Sequence, residues 1–210
     1  MKVFVTGGGG GIGQSIVDVL RLSHVAVVSP SSKELDLSSD FNLEEYGEFD
    51  GFIHCAGINS VRECAEIDQG ELDNLFKINT FSFLKISSEL KLRQGANIVA
   101  IGSLYAESTK EGRVQYSMSK HALYGAVKTL ALEMAKDRVK VNMISPGFVD
   151  TPMTAKNNTK DRIDYLNNTI PLGLTNPSQV SKLCLYFITQ NEAVTGQNIV
   201  VDGGCSLKGL

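Results

Sequence analysis

The chain has 210 residues, 42% of them hydrophobic and 20% charged, a mix that can bury a sizeable core and excludes wholesale disorder. Twenty Lys and Arg face 23 Asp and Glu, for a net charge of -3, so no surplus of positive charge exists to neutralise a nucleic-acid backbone. The length suits one domain, taken as 1–210.

Short apolar runs alternate with helical stretches along the chain, the pattern of a parallel sheet with crossover helices. Val3–Val5 reads as a strand, too short for a signal-peptide core, and Gln14–Leu22 as a helix with Ile16, Val17, Val19 and Leu20 on its inner face. Strands are expected at His24–Val28, Phe49–His54 and Asn97–Ile101, and a long helix at Tyr116–Lys136. A strand at Val139–Ile144, a helix at Pro177–Gln190 and a last strand at Gln197–Val201 complete the set. The segment Ser29–Glu34 is too short and polar for a crossover helix, so an abbreviated loop is expected after the second strand, with Asp36-Leu37 ending a short strand beyond it. The polar segment 152–171 reads as a long loop serving as a substrate lid. The apolar run Leu183–Ile188 is far below membrane-spanning length, so no membrane association is expected. Cys55, Cys64, Cys184 and Cys205 form no CxxC pair and have no His at ligand spacing, which points to reduced, buried thiols in a cytoplasm and to no metal site.

Two features carry chemistry. Thr6-Gly7-Gly8-Gly9-Gly10-Gly11-Ile12-Gly13 follows a strand and opens a helix, where a doubly wound α/β fold receives a dinucleotide pyrophosphate. Five consecutive glycines leave the register open by spacing alone, with Gly8, Gly10 and Gly13 fitting GxGxxG; the absence of Gly-Lys-Ser/Thr excludes a P-loop. Tyr116 and Lys120 stand four residues apart, on one face of a helix. An ammonium about 4 Å from a phenol could lower its pKa by roughly 3 units at most, toward the range of general acid–base work. Such a pair is common on exposed helices and means little alone.

The chain as a whole resembles the short-chain dehydrogenase/reductase family, in its single-domain form similar to 3-oxoacyl-carrier-protein reductases. The family's TGxxxGxG matches Thr6, Gly7, Gly11 and Gly13, which settles the register, and its NNAG stretch corresponds to His54-Cys55-Ala56-Gly57. Asn79, Ser103, Tyr116 and Lys120 match its catalytic positions; Asn142, Pro146, Gly147 and Thr151 match the N-x-x-x-P-G stretch and following threonine. Thr195-Gly196-Gln197 and Val201-Asp202-Gly203-Gly204 match its C-terminal TGQ…VDGG.

The resemblance implies a Rossmann-type, doubly wound parallel sheet and hydride transfer between NADP or NAD and a carbonyl or secondary-alcohol substrate. It implies that Tyr116 exchanges the proton and that Ser103 bonds the substrate oxygen. Lys120 would acidify Tyr116 and hold the nicotinamide ribose, and Asn79 would hold a relay water. Cofactor contacts are expected at Thr6, Gly7, Gly11, Ile12, Gly13, Ser31, Asp36, Leu37, Ala56, Gly57, Pro146, Gly147, Val149 and Thr151, Asp36 toward the adenine amino group. A homodimer or homotetramer is implied, through helices after Gly57 and near Tyr116.

Two departures stand out. His54-Cys55 replaces Asn-Asn, leaving an imidazole to steady the sheet. No acid ends the second strand, and Ser29, Ser31, Ser32 and Lys33 lean the cofactor choice toward NADP, a lean that Glu34 would reverse if the loop folds back. The substrate is not legible beyond the polarity of Asp161, Arg162, Asp164 and the lid asparagines. The competing reading is a non-catalytic dinucleotide-binding sensor or assembly protein on the same fold.

Overall fold

Alternation along each strand assigns its side chains to two opposite cores. Val3 and Val5 of β1 (Lys2–Thr6) pack on one face of the sheet and Phe4 on the other. The same split holds for Ile53 against Phe52 in β3 (Glu48–His54). It holds again for Val99 and Ile101 against Ile98 and Ala100 in β4 (Lys91–Ile101). With β2 (Ala26–Val28), β5 (Lys140–Pro146) and β6 (Asn198–Val201) they form one six-stranded parallel sheet in the order β2-β1-β3-β4-β5-β6. The computed structural model describes residues 1–208; Gly209 and Leu210, included in the expected domain, lie outside the described residues.

One face is covered by α1 (Gly11–Leu22) and α7 (Pro177–Gln190), through Ile16, Val17 and Leu20 and through Val180, Cys184, Phe187 and Ile188. The other is covered by α3 (Ser82–Glu89) and α4 (Val114–Glu133), through Phe83, Ile86, Leu123, Val127 and Leu130. A sheet buried on both faces explains why its strands read as continuous apolar runs.

Several boundaries differ from the sequence expectation. Helix α1 begins at Gly11 rather than Gln14, the last three glycine-run residues winding into its first turn. β2 begins at Ala26, because His24 takes a left-handed φ of 59° as the chain leaves α1. β4 starts six residues early, at Lys91, and α4 spans Val114–Glu133 before a 3-10 turn at Met134–Asp137. The expected loop at 152–171 holds two short helices, α5 (Pro152–Lys156) and α6 (Lys160–Thr169), each opened by a threonine, Thr151 and Thr159, whose side chain accepts a backbone N–H. Helix α2 (Gln69–Phe76), capped by Asp68, runs through a π-turn at Lys77–Phe81 into α3, a stretch with no sequence assignment.

Between β2 and β3 no crossover helix forms, as expected, and Asp36-Leu37 lies in turns rather than at a strand end. Leu35 and Leu43 are buried in the Phe4–Phe49–Phe52 cluster, with Leu37 and Phe41 packed against it, so loop side chains cover that part of the sheet. The chain leaves β1 for β2 on one side and returns to β3 on the other. That reversal opens a crevice at the carboxyl ends of β1 and β3.

Candidate active site

The crevice is a single cleft of about 620 Å³ floored by the glycine turn. Gly7 has a φ of 70°, and a Cβ there would lie 2.5 Å from the Ala56 nitrogen, so only glycine lets the turn after β1 nest against the turn after β3. A Cβ on Gly13 would run into the Gly7 carbonyl. Gly10 donates to Gly7 and accepts from Gln14, which leaves the Gly11, Ile12 and Gly13 N–H groups without backbone partners among the described residues at the helix start. Free N–H groups at a positive helix end favour an anion, so the turn fits a dinucleotide pyrophosphate. Thr6 ties the two turns together, its hydroxyl lying 3.0 Å from His54 Nδ1 and 3.4 Å from the Ala56 nitrogen. His54 thus bonds within the sheet; burial and the Lys120 charge push its pKa down to about 3, so it is neutral.

All fourteen expected cofactor residues line this cleft, from Ser31, Asp36 and Leu37 at one end to Pro146, Gly147, Val149 and Thr151 at the other. Sequence reasoning missed Ile58, Ile78, Met153 and Thr154, which also line it. Asp36 lies on the wall, but both its carboxylate oxygens are taken, by the Ser38 N–H and hydroxyl and by the Ser39 hydroxyl. Those bonds hold its pKa below the usual value, and Asp36 serves first as the cap of its own turn. Glu34 folds back: one carboxylate oxygen accepts both the N–H and the hydroxyl of Ser31, each at 2.8 Å. Cys64 is exposed, contrary to the expectation of a buried thiol, because it sits in a surface turn before α2.

Ser103 follows β4 by two residues and caps the turn Leu104–Ala106, and Tyr116 and Lys120 come from the first turns of α4, so sheet and helix bring all three to the cleft wall. Burial raises the Tyr116 pKa; the neighbouring Ser103 hydroxyl and the Arg113 charge act against the rise. Lys120 Nζ lies over the phenol ring, 5.7 Å from its centre, and donates to the Ile101 carbonyl at 2.9 Å. Buried itself, the ammonium has its pKa pushed down to about 8.

Asn79 is not on the cleft wall. Its Oδ1 accepts the Ile58 N–H at 2.8 Å, and its Nδ2 donates to the Ile58 carbonyl and to the Ser119 hydroxyl. With both amide hydrogens engaged, Asn79 clamps the Ile58 loop to α4. The π-turn aims it inward, a backbone irregularity no side-chain pattern announces.

A family model described as Enoyl-(Acyl carrier protein) reductase matches residues 31–206. Carbonyl reductase family member 4 of Xenopus laevis is 33% identical over 192 residues, 88% of this chain and 79% of that one. The chain belongs to the short-chain dehydrogenase/reductase family. The human 3-oxoacyl-[acyl-carrier-protein] reductase is 30% identical over 191 residues, 88% of this chain and 78% of that protein. A short chain dehydrogenase family protein from Francisella tularensis superposes with a TM-score of 0.86 at 25% identity, covering 98% of each chain. This short-chain dehydrogenase/reductase is accordingly an oxidoreductase that moves a hydride between NAD(P) and a carbonyl or alcohol substrate.

Proposed function

We propose that this enzyme works as a carbonyl reductase, with Tyr116 as proton donor and Ser103 as the group that bonds the carbonyl oxygen. The observation that carries this is that Ser103, Tyr116 and Lys120 all line the cleft that the glycine turn floors. Bound NAD(P)H supplies the hydride. The glycine turn, with the Gly11–Gly13 N–H groups, holds the pyrophosphate, while Pro146, Gly147, Val149 and Thr151 border the nicotinamide end. Burial keeps the Tyr116 phenol protonated at neutral pH, ready to give its proton as negative charge develops on the substrate oxygen. Ser103 orients that phenol and shares the charge. Lys120, anchored on the Ile101 carbonyl, presents a positive charge to the ribose side, and Asn79 keeps the neighbouring loop in place.

Glu34 supports NAD over NADP. A 2′-phosphate approaching Ser31 would meet a carboxylate that already holds both Ser31 donors. The pair α5–α6 forms the substrate lid, Met153 and Thr154 giving it a face in the cleft. Phe81, Leu84 and Met118, all well exposed along the α3–α4 layer, support a homo-oligomer through that face. Four thiols outside any disulfide fit a reducing cytoplasm.

The test is loss of absorbance of NADH and NADPH against a panel of ketones and aldehydes, with Tyr116→Phe alongside. Turnover falls at least about 100-fold in the variant while cofactor binding, followed by fluorescence, persists. Cofactor binding without turnover of any carbonyl by the native protein would instead support a sensor.

A further inference from the structure

Near the reacting phenol lies a positive charge with no carboxylate partner among the described residues. Arg113 immediately precedes α4, three residues before Tyr116, and is only 9% exposed. Among the described residues its guanidinium makes one hydrogen bond, Nη1 to Asn59 Oδ1 at 2.9 Å. It lies over the Tyr105 ring, 5.8 Å from the centroid, and that ring meets Tyr116 edge-on at 6.1 Å. No carboxylate of the described residues comes within 4.0 Å of it; the ion pairs formed use Arg62, Arg93 and the amino terminus.

Arginine is almost never buried unless paired, because an uncompensated charge in a dry site is costly. None of the Arg113 nitrogens is among the sealed, partnerless polar atoms of the structure, so solvent or a ligand still reaches the donors that Asn59 leaves free. The support is rigid. Asn79 clamps Ile58 at both its N–H and its carbonyl, and Asn59 is the next residue. Arg162 from α6 adds a second positive field at Tyr105.

We propose that Arg113, fixed by Asn59 and backed by Tyr105, is a carboxylate subsite, and that the substrate is a small oxo acid reduced to the matching hydroxy acid. This rests on the carbonyl-reductase reading. The guanidinium fork matches a carboxylate with two parallel hydrogen bonds, which a lysine or a neutral amide does not offer. The Asn59 amide nitrogen, without a hydrogen bond among the described residues, is a further donor beside it. Tyr105 contacts both the guanidinium and the Tyr116 ring, and its N–H donates to Ser103 Oγ, so the subsite adjoins the reacting groups and the acid is short. The arginine binds and orients, and the proton still comes from Tyr116.

The experiment compares 2-oxobutanoate, 3-oxobutanoate and 4-oxopentanoate with their methyl esters and with dihydroxyacetone phosphate, using NADH and NADPH. The native enzyme is expected to prefer at least one acid over its ester by roughly tenfold or more in kcat/KM, mainly through KM, as a charge-assisted contact allows. Arg113→Gln brings that ratio toward one by raising KM for the acid, and Arg113→Lys restores part of it. Thermal melts confirm that each variant folds; should the Gln variant not fold, the Lys variant must still lower the ratio. Equal rates on acids and esters, or a ratio indifferent to both substitutions, overturn the subsite. A preference for the phosphate overturns its assignment to a carboxylate. If no compound turns over, the carbonyl-reductase reading falls separately. Thermal protection of the cofactor-bound native protein by succinate, absent in Arg113→Gln, then still decides the subsite.

Discussion

Replacing Lys120 by Met should make the protein more stable and disable it at once. The ammonium is buried, donates to the Ile101 carbonyl at 2.9 Å, and its pKa falls from 10.5 to about 8. That depression corresponds to about 3 kcal/mol of destabilisation at neutral pH, where the folded chain must keep a desolvated charge. An unfolded chain holds the proton up to about pH 10.5 and the folded chain releases it near 8, so unfolding takes up a proton between those values. Stability from this group therefore rises with pH through that window; the cost is complete below about 8 and gone above about 10.5. Methionine keeps the length and removes the charge. It forfeits the bond to Ile101, worth about 1 kcal/mol, for a net gain near 2 kcal/mol at pH 7. For a chain of this size that is about 4–8 °C in melting temperature. Melts of both proteins without cofactor, at pH 7 and pH 9.5, give the difference directly, and groups common to both cancel. The gap should narrow at the higher pH, while carbonyl turnover falls by at least about 100-fold. An equal or lower melting temperature for the variant at pH 7, or a gap that does not change with pH, would refute the reasoning.

His54 behaves in the opposite pH range. Its pKa is about 3 when folded against 6.5 when unfolded, so the unfolded chain binds a proton that the folded one cannot, and stability is lost as pH falls below 6.5. The loss reaches about 3 kcal/mol at pH 4.5, and His54→Asn should flatten that acid slope; parallel slopes for the two proteins would count against it. Glu34→Gln should raise the NADPH:NADH ratio of kcat/KM by about three- to tenfold, modestly because the carboxylate is exposed and screened by salt. Steady-state KM values for both cofactors check this, and an unchanged ratio removes Glu34 from cofactor choice.

Much of the site was legible in the chain because its determinants are local. A strand, a glycine run and a helix start lie consecutively, so Thr6, Gly7 and Gly13 act within one turn of backbone. Tyr116 and Lys120 share a helix, and the parallel α/β order follows from short apolar runs buried on both faces. Only the tertiary structure decided which way the charged groups turn. Lys120 is anchored on the Ile101 carbonyl beside the phenol ring, Asn79 holds Ile58 rather than the cleft, and Glu34 closes on Ser31. Arg113, silent as the residue before a helix, acquires meaning from Asn59, 54 positions away, and from the absence of a nearby carboxylate among the described residues. Spacing fixes which side chains share a face, but burial and partnership depend on segments distant in sequence, and those set the protonation and the charge each group presents.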